Sequence, residues 1–335
     1  MRLVQIARGS ERRTAAVDGA RLTLLHAADA PSVYVLASKA IRGAQSLVAV
    51  AGNALSGETL DYDEIYGGAS EWRLLPSFDH PHDSAHCTVS GTGLTHKKSA
   101  ENRAAMHKET SAADITDSMR MYQVGIEGGT PEAGRIGVQP EWFYKGDGSI
   151  LRAHGETLEV PAYAEDGGEE PEIAGVYLIS PAGEPLRVGF TVTNEFSDHK
   201  MEKKNYLYLA HSKLRNCSIG PELSIGDAPF EDVPGTAGIM REGQFIWHKD
   251  IWSGEKNMCH SVANLEHHHF KYETHRRPGD VHIHVFGADA FSFGDGLTLA
   301  EGDIMEVSFP QFGRPLRNRL TARSPLKMPV TTRAL

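Results

Sequence analysis

Cysteine is scarce in this chain of 335 residues, which contains three: Cys87, Cys217 and Cys259. Their number is odd and their spacing shows no pairs, so a disulfide framework is not indicated. None of the three lies in a recognisable nucleophile motif. We therefore expect three reduced thiols and a cytoplasmic protein.

Long hydrophobic runs are also missing. Apolar stretches such as residues 47–52 are far too short to cross a bilayer, which takes about 20 residues. Residues 1–14 contain four arginines, but the apolar segment of a signal peptide does not follow them. We expect a soluble protein with no signal peptide and no membrane partner.

Positive charge is in deficit, because 34 Lys and Arg stand against 44 Asp and Glu and leave a net charge of −10 at pH 7. This balance argues against a nucleic acid as the partner. Hydrophobic residues make up 40% of the chain, which is ordinary and does not indicate disorder. The length allows one large domain and a smaller one.

The first part of the chain, residues 1–70, predicts an N-terminal α/β region. Short strands are predicted at residues 3–6 and 22–25. Apolar residues at a helical period predict one helix over residues 31–54, with Pro31 in its first turn, where a missing N–H leaves nothing unsatisfied.

The second part, residues 71–135, predicts a linker, a loop rich in Gly, Thr and His at 90–96, and a helix. Ser99 is predicted to cap this helix, which would run through Met106 towards the Gly-Gly-Thr-Pro of residues 128–131 and end there.

The third part, residues 136–335, predicts a β-rich domain of short strands separated by Gly and Pro turns. The clearest runs are residues 173–179, 188–192, 245–247, 282–286 and 304–309. We expect the basic tail, residues 314–333, to be solvated surface.

An acidic motif in this third part has the spacing of a metal site. Glu170 and Glu172 are two residues apart, so an extended strand would point both carboxylates to one face, about 7 Å apart along the strand. Glu195, after the predicted strand 188–192, offers a third carboxylate, with Asp198 as its substitute. Carboxylates without a nearby cysteine suit Mg²⁺, Mn²⁺ or Ca²⁺. The alternative is a solvated acidic loop.

Histidines are grouped at two places. The triplet His267-His268-His269 is predicted in a strand, where neighbouring side chains alternate faces, so the three would not bind one cation and we assign them no chemistry. His282 and His284 would share one strand face among apolar neighbours, which predicts the wall of a core or pocket.

Five features over residues 141–318 resemble, in their order, the fumarylacetoacetate hydrolase (FAH) superfamily. They are Glu170-Pro171-Glu172, the turn Asn194-Glu195-Phe196-Ser197, Lys213 ahead of Gly220-Pro221, Ser253-Gly254-Glu255, and Leu299 with Gly302-Asp303 and Met305-Glu306-Val307. The resemblance implies an α+β fold, with an FAH-like mixed β-sandwich or β-roll catalytic domain and a smaller N-terminal α/β domain. It also implies Mg²⁺ (or Mn²⁺ or Ca²⁺) held by Glu170, Glu172 and Glu195, and a homodimer.

A second set of residues resembles the GguC-type branch of this superfamily, which is linked to sugar-acid catabolism. The set is Gly91-Thr92-Gly93-Leu94-Thr95-His96, Ser99-Ala100, Arg103 and Met106-His107. It implies a lyase that dehydrates a 2-keto-3-deoxy sugar acid to a 2-oxo semialdehyde. Two alternatives stay open: a metal-dependent C–C hydrolase of acylpyruvate-like or fumarylacetoacetate-like diketo acids, and a sugar-acid-binding protein without catalysis.

The resemblance also implies roles for individual side chains. Lys213 is expected to be the base or proton shuttle, unless it is a surface lysine. Lys145 and Phe143, with Thr95 and Ser253, are expected to contact the substrate, although a lysine lying over an aromatic cluster would explain Lys145 as well. His96 is expected to act as an acid or base or to bond a substrate hydroxyl, the alternative being a loop histidine satisfied by a backbone carbonyl.

The chain departs from the superfamily pattern at three places. Glu195 stands where Asp is usual, and His199 stands where many members have Arg. Gly287-Ala288-Asp289 replaces a Gly-Thr-Pro that lies near the substrate carboxylate, which implies a different recognition of that carboxylate.

Overall fold

The computed structural model describes residues 1–106, 116–323 and 328–335, with the side chains of these residues except 102–106. His107 and the side chains of Arg103 and Met106, which contribute to the sugar-acid resemblance, lie outside what is described. Within the described ranges no helix is long and apolar enough to cross a membrane.

Strands dominate the described chain. They are β1 (Arg2–Arg8), β2 (Glu11–Asp18), β3 (Arg21–Leu25), β4 (Leu55–Asp61), β5 (Arg73–Leu74), β6 (Cys87–Gly91), β7 (Phe143–Asp147), β8 (Leu151–Arg152), β9 (Thr157–Val160), β10 (Pro171–Ile179), β11 (Pro185–Asn194), β12 (Cys217–Ile225), β13 (Val233–Arg241), β14 (Gln244–Ser253), β15 (Val281–Val285), β16 (Ile304–Ser308) and β17 (Leu316–Ala322). The helices are α1 (Val33–Arg42), α2 (Leu47–Asn53), α3 (Tyr62–Tyr66), α4 (Lys97–Met106), α5 (Asp117–Gly128), α6 (His199–Lys204), α7 (Leu209–Lys213) and α8 (Val262–Phe270).

The strands form two mixed sheets, so the predicted α+β architecture is confirmed. The larger sheet has the order β4-β3-β2-β1-β12-β11-β10-β15-β6-β7, with β5 on β1 and β8 on β12. The smaller has the order β14-β13-β16-β17-β9. Most pairs are antiparallel, and β6 with β15, β8 with β12 and β9 with β17 are parallel.

Apolar side chains of the larger sheet are buried on both of its faces. On one face α1 and α2 pack against β10, β11, β12 and β15, and the side chains of Ala174 and Val176 belong to this cluster. On the other face Ile173 and Phe190 meet apolar side chains of the smaller sheet. Because side chains alternate along a strand, Glu172 points to the same face as Ala174 and Val176. The β10 strand thus brings its acidic end to the helix-covered side of the sheet.

The predicted strands are confirmed, because each predicted run overlaps a strand of the structure. The single helix predicted over residues 31–54 is wrong. It divides into α1 and α2, since Ala44 takes a left-handed conformation with φ of 48° and Ser46 then caps a new helix.

Three further predictions need correction. Ser99 does not cap a helix, because α4 already begins at Lys97. The triplet 267–269 lies on helix α8 and not on a strand. The basic tail is not all solvated surface, because residues 316–322 form β17 and its alternate side chains are buried. The predicted helix end at Gly128 and the burial of His282 and His284 are confirmed.

Candidate metal centre

Two adjacent antiparallel strands bring the three predicted carboxylates together. Strands β10 and β11 pair so that Glu172 lies opposite Thr193. The backbone of Glu195, just after β11, donates from its N–H to the carbonyl of Glu170 at 2.9 Å. Glu170, Glu172 and Glu195 each offer a carboxylate oxygen within 4.8 Å of the other two. Across the described ranges this is the single group of three or more potential ligands with that geometry.

The turn that carries Glu195 is held by the side chain of Asn194. Its Oδ1 accepts hydrogen bonds from the N–H groups of Glu170 and Phe196, both at 3.2 Å. Phe196 has a φ of 22°, which is rare for a residue with a side chain. Asn194 thereby ties the start of β10 to the end of β11 and fixes two carboxylates relative to each other.

Lys213 lies among these carboxylates at the end of α7. Its Nζ is 2.6 Å from both Glu170 Oε1 and Glu195 Oε2, 3.0 Å from Ser197 Oγ and 3.3 Å from Glu202 Oε1. The side chain is buried, so it is not the surface lysine of the alternative interpretation. Its role as base or proton shuttle stays a prediction.

Lys145, on β7, contacts Glu195 from the other side. Its Nζ is 2.6 Å from Glu195 Oε1, 2.8 Å from the carbonyl of Phe196 and 3.1 Å from the carbonyl of Lys213. An ammonium has three N–H donors, and these three protein acceptors match that number. A substrate contact by Lys145 would require the loss of one of these bonds, and that role stays a prediction.

The three carboxylates are buried together, with exposed fractions of 6% for Glu170, 1% for Glu172 and 0% for Glu195. Burial, and then repulsion by Glu195 and Glu170, raises the pKa of Glu172 well above its usual value. Burial and the charge of Glu170 also raise the pKa of Glu195. A set of crowded carboxylate oxygens fits a hard divalent cation, whose charge would remove this repulsion.

Asp198, the substitute for Glu195, serves another purpose. Its carboxylate pairs with the Arg215 guanidinium at 3.1 Å and accepts from the N–H groups of Glu165 and Met201 at 2.9 and 3.0 Å. These bonds cap α6 and exclude Asp198 from the carboxylate group.

Several residues around the centre were not found from the sequence. The carboxylate of Glu202 accepts from Ser212 Oγ at 2.6 Å and lies beside Lys213. Glu169 is fully buried and accepts from the N–H and the Oγ of Ser292 at 2.6 and 2.8 Å. The position of Glu169 next to Glu170 could have indicated it in the sequence. No local pattern distinguishes Glu202 from other glutamates on helices.

His199 occupies the position where many superfamily members have Arg. Its Nε2 lies 3.2 Å from Glu170 Oε1, and its ring stacks on Phe291 with centroids 4.6 Å apart. The imidazole therefore supplies a hydrogen bond to one carboxylate of the centre.

The predicted loop residues reach the centre through Gly287. The Gly287 N–H donates to Glu172 Oε2 at 2.7 Å. A Cβ at Gly287 would lie 2.1 Å from Thr95 Oγ1, and its φ is 96°, so only glycine fits there. Thr95 thus packs directly on the segment that holds Glu172, and His96 follows it.

The remaining predicted substrate contacts, Phe143 and Ser253, are both buried, and their roles toward a substrate stay predictions. The Phe143 ring lies with its centroid 5.0 Å from Lys213 Nζ. Ser253, at the end of β14, is buried, and its Oγ has no hydrogen-bond partner. Phe143 therefore supports Lys213 by packing, and the role of Ser253 stays a prediction.

Two curated relatives match parts of the chain. The 2-dehydro-3-deoxy-D-arabinonate dehydratase of Saccharolobus solfataricus is 32% identical over 120 residues, which cover 34% of this chain and 38% of that protein. The probable 2-keto-3-deoxyxylonate dehydratase of Haloferax volcanii is 27% identical over 188 residues, 55% of this chain and 61% of that protein. The chain thus spans less than two thirds of the length of these relatives. No family model matches.

Solved structures are similar over nearly the whole chain. A 2-keto-3-deoxy-D-arabinonate dehydratase complexed with magnesium and 2,5-dioxopentanoate has a TM-score of 0.69 at 20% identity, covering 97% of this chain and 100% of that one. The 5-carboxymethyl-2-hydroxymuconate delta-isomerase from Mycobacterium smegmatis has a TM-score of 0.56 at 16% identity, covering 96% and 100%. At these identities the likeness concerns the fold.

The two mixed sheets and the buried carboxylate centre define the class of this protein as α+β with a candidate metal site between strand ends. More narrowly, the chain has the fold of these solved dehydratase and isomerase structures, and the curated relatives that match parts of it are 2-keto-3-deoxy sugar-acid dehydratases, which agrees with the resemblance found in its sequence.

Proposed function

We propose that this protein is a magnesium-dependent lyase that dehydrates a 2-keto-3-deoxy sugar acid to a 2-oxo semialdehyde. The observation that carries the proposal is the buried group of Glu170, Glu172 and Glu195 with Lys213 Nζ 2.6 Å from two of them. The names of the two curated relatives, a 2-dehydro-3-deoxy-D-arabinonate dehydratase and a probable 2-keto-3-deoxyxylonate dehydratase, support the substrate class.

The three glutamates would hold the cation, and their oxygen-only donor set suits Mg²⁺. When bound, Mg²⁺ supplies a positive charge that binds a 2-oxo acid and makes the C3 protons of that acid more acidic. Glu202 and Ser197 keep Lys213 Nζ beside the carboxylates, and the burial of the group limits access of water.

Dehydration breaks the C3–H and C4–O bonds and forms a C3=C4 double bond, and the proton and the hydroxide leave as water. For a substrate with a C5 hydroxyl, movement of the double bond to C4=C5 gives an enol whose tautomer is the C5 aldehyde. No oxidant is needed. We propose that Lys213 Nζ, as the neutral amine, takes the C3 proton and passes it to the departing hydroxide, and that it then carries one proton from C5 to C3 during the shift of the double bond.

The test uses the purified protein with 2-keto-3-deoxypentonates and 2-keto-3-deoxyhexonates, with and without chelator. We expect Mg²⁺-dependent formation of one aldehyde product, and Glu172→Gln should lower kcat/KM by at least about 100-fold, a loss typical of a removed metal ligand. Glu127→Gln, the same change at an exposed position of α5, is the control.

Three outcomes would contradict the proposal. They are full turnover and Mg²⁺ dependence in Glu172→Gln, absence of turnover on every such acid, and formation of two acids with no aldehyde, which would mean hydrolysis of a C–C bond.

On the resemblance we further propose that the enzyme works in the cytoplasm as a homodimer. The three cysteines are free and buried, which suits a reducing compartment. Light scattering on the protein eluted from a size-exclusion column measures its molar mass in solution. A monomer at micromolar concentration would contradict the dimer.

A further inference from the structure

His96 has a ring nitrogen with no partner among the residues and side chains that the structure describes. The side chain is 1% exposed, and its Nδ1 lies 2.9 Å from Thr95 Oγ1. Its Nε2 is buried and has no hydrogen-bond partner. The alternative of a loop histidine satisfied by a backbone carbonyl is thus not what the structure contains, and a buried polar atom of this kind calls for a partner.

The hydrogen bonds of Thr95 determine which nitrogen of His96 carries the proton. Thr95 Oγ1 lies 2.6 Å from the carbonyl oxygen of Phe286, which accepts hydrogen bonds and cannot donate. The one hydroxyl proton of Thr95 therefore goes to that carbonyl, and Oγ1 accepts from His96 Nδ1. The His96 Nε2 then bears a lone pair. Burial also lowers the pKa of His96 to about 4, so the ring is neutral near pH 7.

Thr95, the chain neighbour and hydrogen-bond partner of His96, connects this histidine to the candidate metal centre. Thr95 packs on Gly287, whose N–H bonds Glu172. Two residues further on, Asp289 Oδ2 accepts from the Trp252 N–H at 3.1 Å. The next residue after Trp252 is Ser253, whose buried Oγ also lacks a partner. Two residues with unsatisfied buried polar atoms, His96 and Ser253, thus each adjoin a residue that contacts the segment 287–289, and this segment bonds the candidate metal ligand Glu172.

We propose that His96 Nε2 accepts a hydrogen bond from a hydroxyl beyond C3 of the bound sugar acid and so selects hydroxylated 2-oxo acids over plain ones. This inference rests on the proposed function and deepens it. As an acceptor with a neutral ring, His96 recognises the hydroxyl and does not donate the proton of the departing water. A ligand without that hydroxyl would leave the lone pair buried and unpaired, which is the basis of the selection.

Binding tests this inference. Calorimetry in saturating Mg²⁺ compares 2-oxopentanoate, which has no hydroxyl, with 4-hydroxy-2-oxopentanoate and 5-hydroxy-2-oxopentanoate. We expect the better hydroxy acid to bind wild-type protein at least about tenfold more tightly than 2-oxopentanoate. His96→Phe should abolish this preference, and His96→Gln, whose side-chain oxygen can accept, should restore part of it. His248→Phe, at an exposed histidine of β14, is the matched control.

A second measurement needs no variant. In protein labelled with ¹⁵N in histidine, the Nε2 of His96 should resonate as an unprotonated nitrogen and should move upfield as the hydroxy acid is added. A protonated Nε2, a preference below threefold in wild-type protein, or a preference that survives His96→Phe would overturn the inference. Turnover is recorded separately. In wild-type protein, turnover without the preference for the hydroxy acid counts against the inference about His96 alone, and the preference without turnover counts against the proposed function alone.

Discussion

Replacement of Lys145 by Met should destabilise the fold far more than the loss of an ordinary ion pair. The change keeps most of the apolar volume of the side chain and removes the ammonium. It leaves Glu195 Oε1 and the carbonyls of Phe196 and Lys213 without this donor, all of them buried. Breaking a buried pair by removing one partner costs about 3–5 kcal/mol. Glu195 Oε2 keeps its pair with Lys213 Nζ at 2.6 Å, which places Lys145→Met at the lower end, about 3 kcal/mol. We expect a loss of that size.

The assay is urea unfolding at pH 7 in chelator, with and without the second change Glu195→Gln. Glu195→Gln removes the negative charge with which Lys145 pairs. The free energy of unfolding of the double variant should therefore be about 1–3 kcal/mol higher than the sum of the two single changes predicts. The control is Lys39→Met, which breaks the exposed pair with Asp29 at 2.8 Å and should cost less than about 1 kcal/mol.

Two results would refute this reasoning. One is a Lys145→Met variant within about 1 kcal/mol of wild type. The other is strict additivity with Glu195→Gln, which would mean that the two side chains do not depend on each other for their burial.

Further predictions concern the loop beside Glu172 and the buried histidines. Gly287→Ala should lower both stability and substrate affinity, because its Cβ would lie 2.1 Å from Thr95 Oγ1. The control Gly296→Ala, at a φ of 83° with no atom within 4 Å of the new Cβ, measures the cost of the backbone conformation alone. Equal urea midpoints for the two variants would contradict the clash. Burial lowers the pKa of His282 and of His284 to about 3. Between about pH 6.5 and 3 these two histidines are therefore protonated in the unfolded chain and neutral in the folded chain. The free energy of unfolding should therefore be highest above about pH 6.5. For each of the two histidines it should fall by about 1.4 kcal/mol per pH unit as the pH is lowered through that window. Urea midpoints at pH 7, 6 and 5 measure this slope, which His284→Gln should reduce; an unchanged slope would contradict the assignment.

The sequence by itself determined the parts of this protein that depend on local periodicity. Glu170 and Glu172 point to one face because side chains in a strand repeat every two residues, and that argument needs no knowledge of the fold. The strand runs and the stop of α5 at Gly128 likewise follow from local patterns. The place of Glu195 beside the pair follows from the turn motif that ends the neighbouring strand.

Other features were decided by packing between distant segments. The triplet 267–269 was assigned to the wrong element, because three adjacent histidines have no periodicity that separates a helix from a strand. The substrate contact of Lys145 stays a prediction, but its protein acceptors on residues 195, 196 and 213 could not be predicted, because only the assembled sheet and α7 bring them to β7.

The acidic motif was predicted in part from the sequence and in part needed the tertiary structure. Its spacing could indicate that carboxylates converge, but not what else would surround them. The tertiary structure added Glu202 beside Lys213, and it linked Glu172 to Thr95 through Gly287, which follows Thr95 by nearly 200 residues in the chain. Such contacts depend on how the sheet and the covering segments pack, because desolvation and close approach are properties of the folded chain and not of any local pattern.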